Sequence, residues 1–236
     1  MLSSFWNPQA GQQIVDCKMR CVSNCPVDPA NTGIICYVLS MSVVVSYFNS
    51  AYRGLPPWDI GHPQREILQL AEKGEIRGRV LDVGCGTGEN ALYLAGLGLA
   101  VWGVDAAPAA IRKAKGKARR RATKAEFLVA DALKLSALPH RFDTAIDSGL
   151  FHVFSDEERP IFAASLHSAL NPGGTYFMLC FSEHQPGSSG PRRVTQAEIR
   201  ATFGQGWRIN FIREAVMEAT IEPKGVKAWL CSITRL

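Results

Sequence analysis

The run Val80-Leu81-Asp82-Val83-Gly84-Cys85-Gly86-Thr87-Gly88-Glu89 constrains this chain more than any other stretch. A short apolar lead-in of strand type breaks at three alternating glycines, and residues that suit a helix follow. Glycine removes Cβ atoms where a ligand must touch the backbone. The helix beyond the turn aims free N-terminal amides at the same spot. This predicts a nucleotide-type cofactor site at the edge of a parallel sheet. The dinucleotide fingerprint G-x-G-x-x-G calls for its third glycine where Glu89 stands, which disfavours an NAD-dependent oxidoreductase.

Three further strands end in polar tips. Ala100 to Val104 leads to Asp105 and Ala106, Glu126 to Val129 to Asp131 and Ala132, and Phe142 to Ile146 to Asp147 and Ser148. A carboxylate about 20 residues after a glycine turn, at the tip of the next strand, is placed to take both hydroxyls of a ribose. Each aspartate is also a good cap for the helix that follows it. The tips together with the turn favour a ligand edge over three separate caps.

The pattern acidic-x-G-x-G-x-G, starting at Asp82, resembles motif I of the class I S-adenosylmethionine (SAM) methyltransferases, and the likeness runs from about Val80 to Phe181. It implies an α/β fold: a doubly wound, mostly parallel seven-stranded sheet whose last strand is antiparallel. It implies SAM as cofactor. Asp82, Gly84, Cys85, Gly86 and Gly88 would hold the amino-acid tail, Asp105 and Ala106 the ribose, Asp131 and Ala132 the adenine, and Asp147 would stand at the same edge.

Strand and helix signals alternate along the chain, as a parallel sheet requires. Arg65 to Glu72, Glu89 to Ala95 and Pro108 to Ala122 read as helices. Ser155 to Glu158 and Thr195 to Glu198 read as capping boxes opening two more. Asn171-Pro172-Gly173-Gly174 reads as the stop before a strand from Thr175 to Phe181, and Trp207 to Val216 with Val226 to Ile233 as a final strand pair. Residues 47–236 form the expected domain. Residues 1–46 read as a peripheral extension, and Ile34 to Phe48 is too short for a confident membrane span.

The chain carries 26 basic and 21 acidic residues, and eight of the basic ones lie between Arg112 and Lys124 with no acidic residue among them. An apolar stripe of Ile111, Ala114, Ala118 and Ala122 turns those charges outward. The segment reads mainly as a solvated helix face. The alternative is a SAM-binding enzyme or sensor acting on nucleic acid through residues 112–124, although no aromatic residues interleave there as a stacking platform requires. Of seven cysteines, Cys85, Cys180 and Cys231 read as reduced core thiols, which points to a cytoplasmic protein. Cys17, Cys21, Cys25 and Cys36 match no zinc spacing, and no metal site is expected.

Methyl transfer from a sulfonium needs mainly alignment in a dry pocket. The segment Trp58-Asp59 with Gly61 and Pro63 resembles that of the thiol and halide methyltransferases, the thiopurine methyltransferase-like group. There an N-terminal stretch closes over the cofactor and a tryptophan walls off the methyl site. His152, just past the fourth strand, is suited to act as a base or to orient the acceptor. His184 lies in the loop after Phe181, which reads as a mobile lid, and is a weaker candidate for substrate contact. No Asn-Pro-Pro-Tyr segment follows strand four, and no paired-glutamate loop or acidic metal cluster is present. A small-molecule acceptor is therefore expected, at sulfur or halide first and oxygen after, with no confident membrane span and no strong sign of a nucleic-acid partner.

Overall fold

The computed structural model describes residues 44–188 and 190–236. The expectations for the first 43 residues, including Cys17, Cys21, Cys25 and Cys36, lie outside that range. The chain is helical over residues 44–51 (α1), upstream of the Tyr47 start expected for the domain. The elements that follow are α2 Arg65–Glu72, β1 Arg79–Val83, α3 Glu89–Gly96, β2 Ala100–Asp105, α4 Pro108–Arg121, β3 Glu126–Val129, β4 Phe142–Ser148, α5 Glu158–Ala169, β5 Leu170–Phe181, α6 Gln196–Thr202, β6 Trp207–Ala219 and β7 Glu222–Arg235. Short 3-10 turns occupy Ala132–Ala137 and Phe151–Val153.

The seven strands form one sheet in the order β3-β2-β1-β4-β5-β7-β6. β1 pairs in parallel with β2 and β4, β2 with β3, and β4 with β5. β7 runs antiparallel to both β5 and β6, so it alone is reversed. This is the doubly wound, mostly parallel sheet that the resemblance implied. The central strands are buried on both faces, as their nearly continuous apolar runs demand.

Helices α2, α3 and α4 cover one face, where Ile67, Leu70, Leu92, Leu94 and Ile111 pack on Val80, Val101 and Phe127. On the other face α5, α6 and the Phe151 turn bring Phe151, Phe162, Leu166 and Phe203 onto Tyr176 and Met178. Each such fully buried side chain contributes about 1.5–3 kcal/mol relative to exposure.

Both capping boxes form. Ser155 N–H donates to Glu158 and Glu158 N–H to Ser155 Oγ, at 2.9 and 3.3 Å, and Thr195 with Glu198 closes the second box. Three details depart from the sequence reading. Ala122 does not extend the apolar stripe: it caps α4 in the left-handed region at φ 51° and is exposed. β5 already begins at Leu170 opposite Phe142, and Asn171 to Gly174 are absorbed as an irregularity before Thr175 pairs with Thr144. The last hairpin is longer at both ends than Trp207–Val216 and Val226–Ile233.

Candidate active site

The glycine turn sits where β1 ends at the centre of the sheet. All three glycines have positive φ: 72° at Gly84, 54° at Gly86 and 85° at Gly88. Each also meets a different neighbour. A Cβ on Gly88 would lie 2.7 Å from the Phe127 ring, so this glycine lets α3 pack on the sheet. A Cβ on Gly84 would touch Leu150 at 3.0 Å. A Cβ on Gly86 would lie 2.7 Å from the Tyr52 hydroxyl. A tyrosine of the chain itself thus approaches the backbone closely at Gly86.

The turn's amides are also largely engaged. Gly84 and Cys85 N–H donate to Val104 O at 2.8 and 2.9 Å, and Gly88 N–H to Cys85 O at 2.9 Å. Gly86 N–H donates to Asp105 Oδ2 at 2.9 Å, and Ala107 N–H to Asp105 Oδ1 at 2.8 Å. Asp105 thus ties the glycine turn to the start of α4, leaving each oxygen one further acceptor lone pair. Burial raises its pKa, against those two amides.

The other strand-tip carboxylates differ sharply. Asp131 is half-buried, accepts from Leu133 N–H at 2.9 Å and caps the turn after β3. Asp147 is fully buried, and its oxygens accept from Leu150 N–H, Phe151 N–H and Tyr176 O–H at 2.7, 2.9 and 2.8 Å. Burial pushes it up to about 7 despite those bonds. Asp82 is 1% exposed. Its Oδ2 has no hydrogen-bond partner among the described residues. Burial, then the Asp147 charge, push Asp82 up to about 8, with the Ala91 amide opposing. Such a buried orphan oxygen is costly unless a ligand satisfies it.

His152 is buried at the same edge, edge-on to Phe181 at 4.9 Å. Phe181 N–H donates to His152 Nδ1 at 3.2 Å. The acceptor nitrogen is thus taken, and the neutral ring carries its proton on Nε2. Burial first, then Arg193 and Arg159, lower its pKa to about 3. Gly149, at φ 92°, leaves space beside that nitrogen: a Cβ there would lie 3.7 Å from His152 Nε2 and 3.8 Å from Met217 Sδ. His184 is apart from this cluster. It is exposed, bonded to Glu214 Oε1 at 3.2 Å and packed on Trp229. The loop it begins is gathered by Arg193, whose guanidinium donates to the carbonyls of Gln185, Pro186, Gly187 and Pro191 and lies 5.5 Å over Phe181.

Trp58 donates from Nε1 to the Tyr52 hydroxyl at 2.9 Å and packs on Phe48 and Tyr52. The segment 52–61 is thereby a strap across the turn. Asp59 accepts from Thr87 Oγ1 at 2.6 Å, and Lys117 Nζ reaches Thr87 Oγ1 at 2.6 Å and Glu89 at 2.7 Å. Arg121 grips Glu89 with two bonds of 2.8 and 3.0 Å. Sequence reading missed Tyr52 and the structural use of Glu89. The one signal available was the short aromatic run ahead of Trp58, which says nothing of its distance from Gly86.

A family model described as "Methyltransferase domain" matches residues 80–174. A 2-heptyl-1-hydroxyquinolin-4(1H)-one methyltransferase of Mycobacteroides abscessus is 42% identical over 183 residues, 73% of this chain and 81% of that one. The chain belongs to the class I SAM-dependent methyltransferases. A probable thiol methyltransferase 2 of Arabidopsis thaliana is 30% identical over 148 residues, 61% of this chain and 65% of that one. Among solved structures, that described under conversion of a disulfide bond into a thioacetal group during echinomycin biosynthesis superposes with TM-score 0.76 at 38% identity, covering 81% of this chain and 93% of the other. The methyltransferase takes SAM as its cofactor, whose tail carries an ammonium and a carboxylate. A buried, unpartnered aspartate oxygen beneath a positive-φ glycine turn fits the cationic end of that tail. Among the described residues no helix is long and apolar enough to cross a membrane.

Proposed function

We propose that this methyltransferase modifies a small acceptor that ionises on its own near neutral pH: an acidic hydroxyl on an aromatic heterocycle first, a thiol second. The observation that carries this reading is His152. Its Nδ1 is occupied by Phe181 N–H and its ring stays neutral. Such a ring donates through Nε2 and does not collect a proton. It orients an anionic acceptor beside Gly149. Asp147 is equally unsuited to act as a base, since its three internal hydrogen bonds hold the loop that carries Leu150 and Phe151. We assign it a positioning role and not the cofactor contact expected from its place at the strand tip.

SAM, when bound, supplies a methyl group on a positively charged sulfur that needs no further activation. In this reading Asp82 takes the ammonium, and the turn of Gly84, Cys85, Gly86 and Gly88 holds the tail. Asp105, with Ala106 beside it, uses its remaining lone pairs on the ribose. Asp131 and Ala132 flank the adenine. Phe181 and Met217 wall the acceptor space, with the partly exposed Trp58 at its rim, and keeping water out strengthens every electrostatic contact inside. His184 lies too far out on the surface for more than a rim contact. The hydroxyquinolone and thiol names of the relatives agree with acceptors of low pKa. A cytoplasmic setting, supported by the free thiols of Cys85, Cys180 and Cys231, completes the reading.

The test is turnover of labelled SAM against N-hydroxyquinolones, aryl and alkyl thiols, thiocyanate, iodide and simple phenols. N-hydroxyquinolones should lead and thiols follow, and within each of these two classes rates should track the ionised fraction of the acceptor. Equal turnover of weakly acidic phenols at neutral pH would show that the enzyme supplies a base and would overturn the assignment.

A further inference from the structure

One cavity is lined by none of Gly149, His152, Phe181 or Met217. It has a volume of about 850 Å³ and opens between the strap 52–61 and the outer face of α4. Its basic lining is Arg53, Arg112, Lys113, Lys117, Arg120 and Arg121. Only Asp59 and Glu89 oppose them, and both are already engaged by Lys117 and Arg121. Arg53, Arg112 and Arg120 have no ion-pair partner among the described residues, and Lys113 Nζ donates to the neutral carbonyl of Gly54 at 2.7 Å. Several cations thus face one concave space with no uncommitted anion among the described residues to answer them. Concentrating like charge in this way is unfavourable unless a ligand neutralises it.

Two features indicate a built site and not merely a basic surface. Both walls are fixed: Lys113 bonds the strap at Gly54, Asp59 bonds Thr87, and Asn49 Oδ1 accepts from Ala109 N–H at the start of α4. The floor is Gly116, in the interior of α4, where glycine costs about 0.5–1 kcal/mol relative to alanine. A Cβ at Gly116 would meet only the Arg120 guanidinium, at 3.4 Å, so no packing against the core requires glycine there. Its effect is to deepen the cavity between Arg112 and Arg120.

We propose that this cavity binds a small phosphorylated molecule, with its phosphate groups held by Arg112 and Arg120 and its body in the space above Gly116. Guanidinium forks suit phosphate oxygens, and the volume lies in the range of small-ligand pockets. A long nucleic acid is the less favoured occupant: outside residues 112–124 the chain holds 18 basic against 21 acidic residues, so the positive excess is confined to this helix.

The experiment is isothermal titration of the full chain with sodium pyrophosphate and with ADP, at constant ionic strength. Saturable binding of both at one site is expected. The double variant Arg112→Gln/Arg120→Gln should weaken it by about tenfold or more, as expected for loss of charged hydrogen bonds. Lys115→Gln/Arg119→Gln removes the same charge from the same helix outside the cavity and should change it less than twofold. Gly116→Leu, which leaves every charge in place, should also abolish binding of ADP. Equal losses in the two double variants, or unchanged ADP binding in Gly116→Leu, would overturn the site. So would tight binding of a short single-stranded RNA in the absence of saturable pyrophosphate binding, which would assign the helix to nucleic acid.

Discussion

At His152, burial and hydrogen bonding act in the same direction. Desolvation disfavours the charged ring, and the Phe181 amide fills the nitrogen that would take a proton. With its pKa held at about 3, His152 does not titrate between pH 5 and 9. The pH profile of kcat/KM should therefore lack a limb near the ordinary histidine value and should follow the acceptor's own pKa when the acceptor is changed. His152→Ala should lower turnover by about tenfold, the worth of one orienting hydrogen bond in a dry site, and His152→Gln should recover part of it. A limb near pH 6.5 that vanishes in His152→Ala would make the residue a base after all. Gly86 invites a second test. Gly86→Ala brings a Cβ within 2.7 Å of the Tyr52 hydroxyl at a φ of 54°. SAM affinity should fall, and Tyr52→Phe in the Gly86→Ala background should restore part of it by removing the clashing oxygen. The share left unrestored is the left-handed backbone strain, about 1–2 kcal/mol. Strict additivity in SAM titrations of the two single variants and the double would mean the two residues do not meet.

At the scale of elements, Glu89 joins α3 to α4. Its carboxylate, with a side chain only 10% exposed, meets Lys117 and Arg121. Burial pushes its pKa up, but the bonds from Arg121 and Lys117 outweigh this and the net pKa is lowered. A depressed carboxylate pKa contributes stability that is present above the unfolded value and lost as pH falls through the folded one. Glu89→Gln should thus destabilise by about 1–2 kcal/mol at neutral pH, with the difference shrinking below pH 4.5, as urea melts at several pH values would show. The sequence made β1 to β4 legible because an apolar strand broken by glycine, then a helix, has few other readings. It hid the start of β5, because Asn171-Pro172-Gly173-Gly174 carries strong turn chemistry that the irregular pairing with β4 overrides. It hid the hairpin ends, where Met217 to Ala219 and Glu222 to Gly225 carry no clean alternation. Glu89 was read as a missing glycine and a helix start, since nothing local reveals a partner on another helix. Tyr52 was invisible for the same reason: its role exists only once the strap lies on the turn.

At the scale of the whole molecule, the sheet carries two buried carboxylates on adjacent central strands, between the cores of its two faces. Asp82 pairs in register with Ile146, so Asp147 follows directly beside it. Burial holds them at about 8 and about 7, against 3.8 for a free aspartate. In the unfolded chain both lose their protons near the free value, whereas the folded protein keeps them to higher pH. The folded state therefore binds more protons between pH 4 and 8, and stability falls as pH rises across that window. Below it the contribution is fully present, and above about pH 8 it is gone. Cofactor-free protein should thus lose unfolding free energy steadily from pH 5 to 8 and level off beyond. SAM should oppose the trend, because its ammonium favours ionised Asp82, and the shift in melting temperature produced by a fixed SAM concentration should grow with pH. Asp82→Asn removes the buried charge at the cost of that contact. It should stabilise the cofactor-free protein at pH 8 by about 1–3 kcal/mol and weaken SAM binding. Denaturation with and without SAM at pH 5 and pH 8 decides the matter: a variant less stable than the parent at pH 8 without cofactor would mean that Asp82 is a structural support of β1 and not a group held in readiness for the ligand.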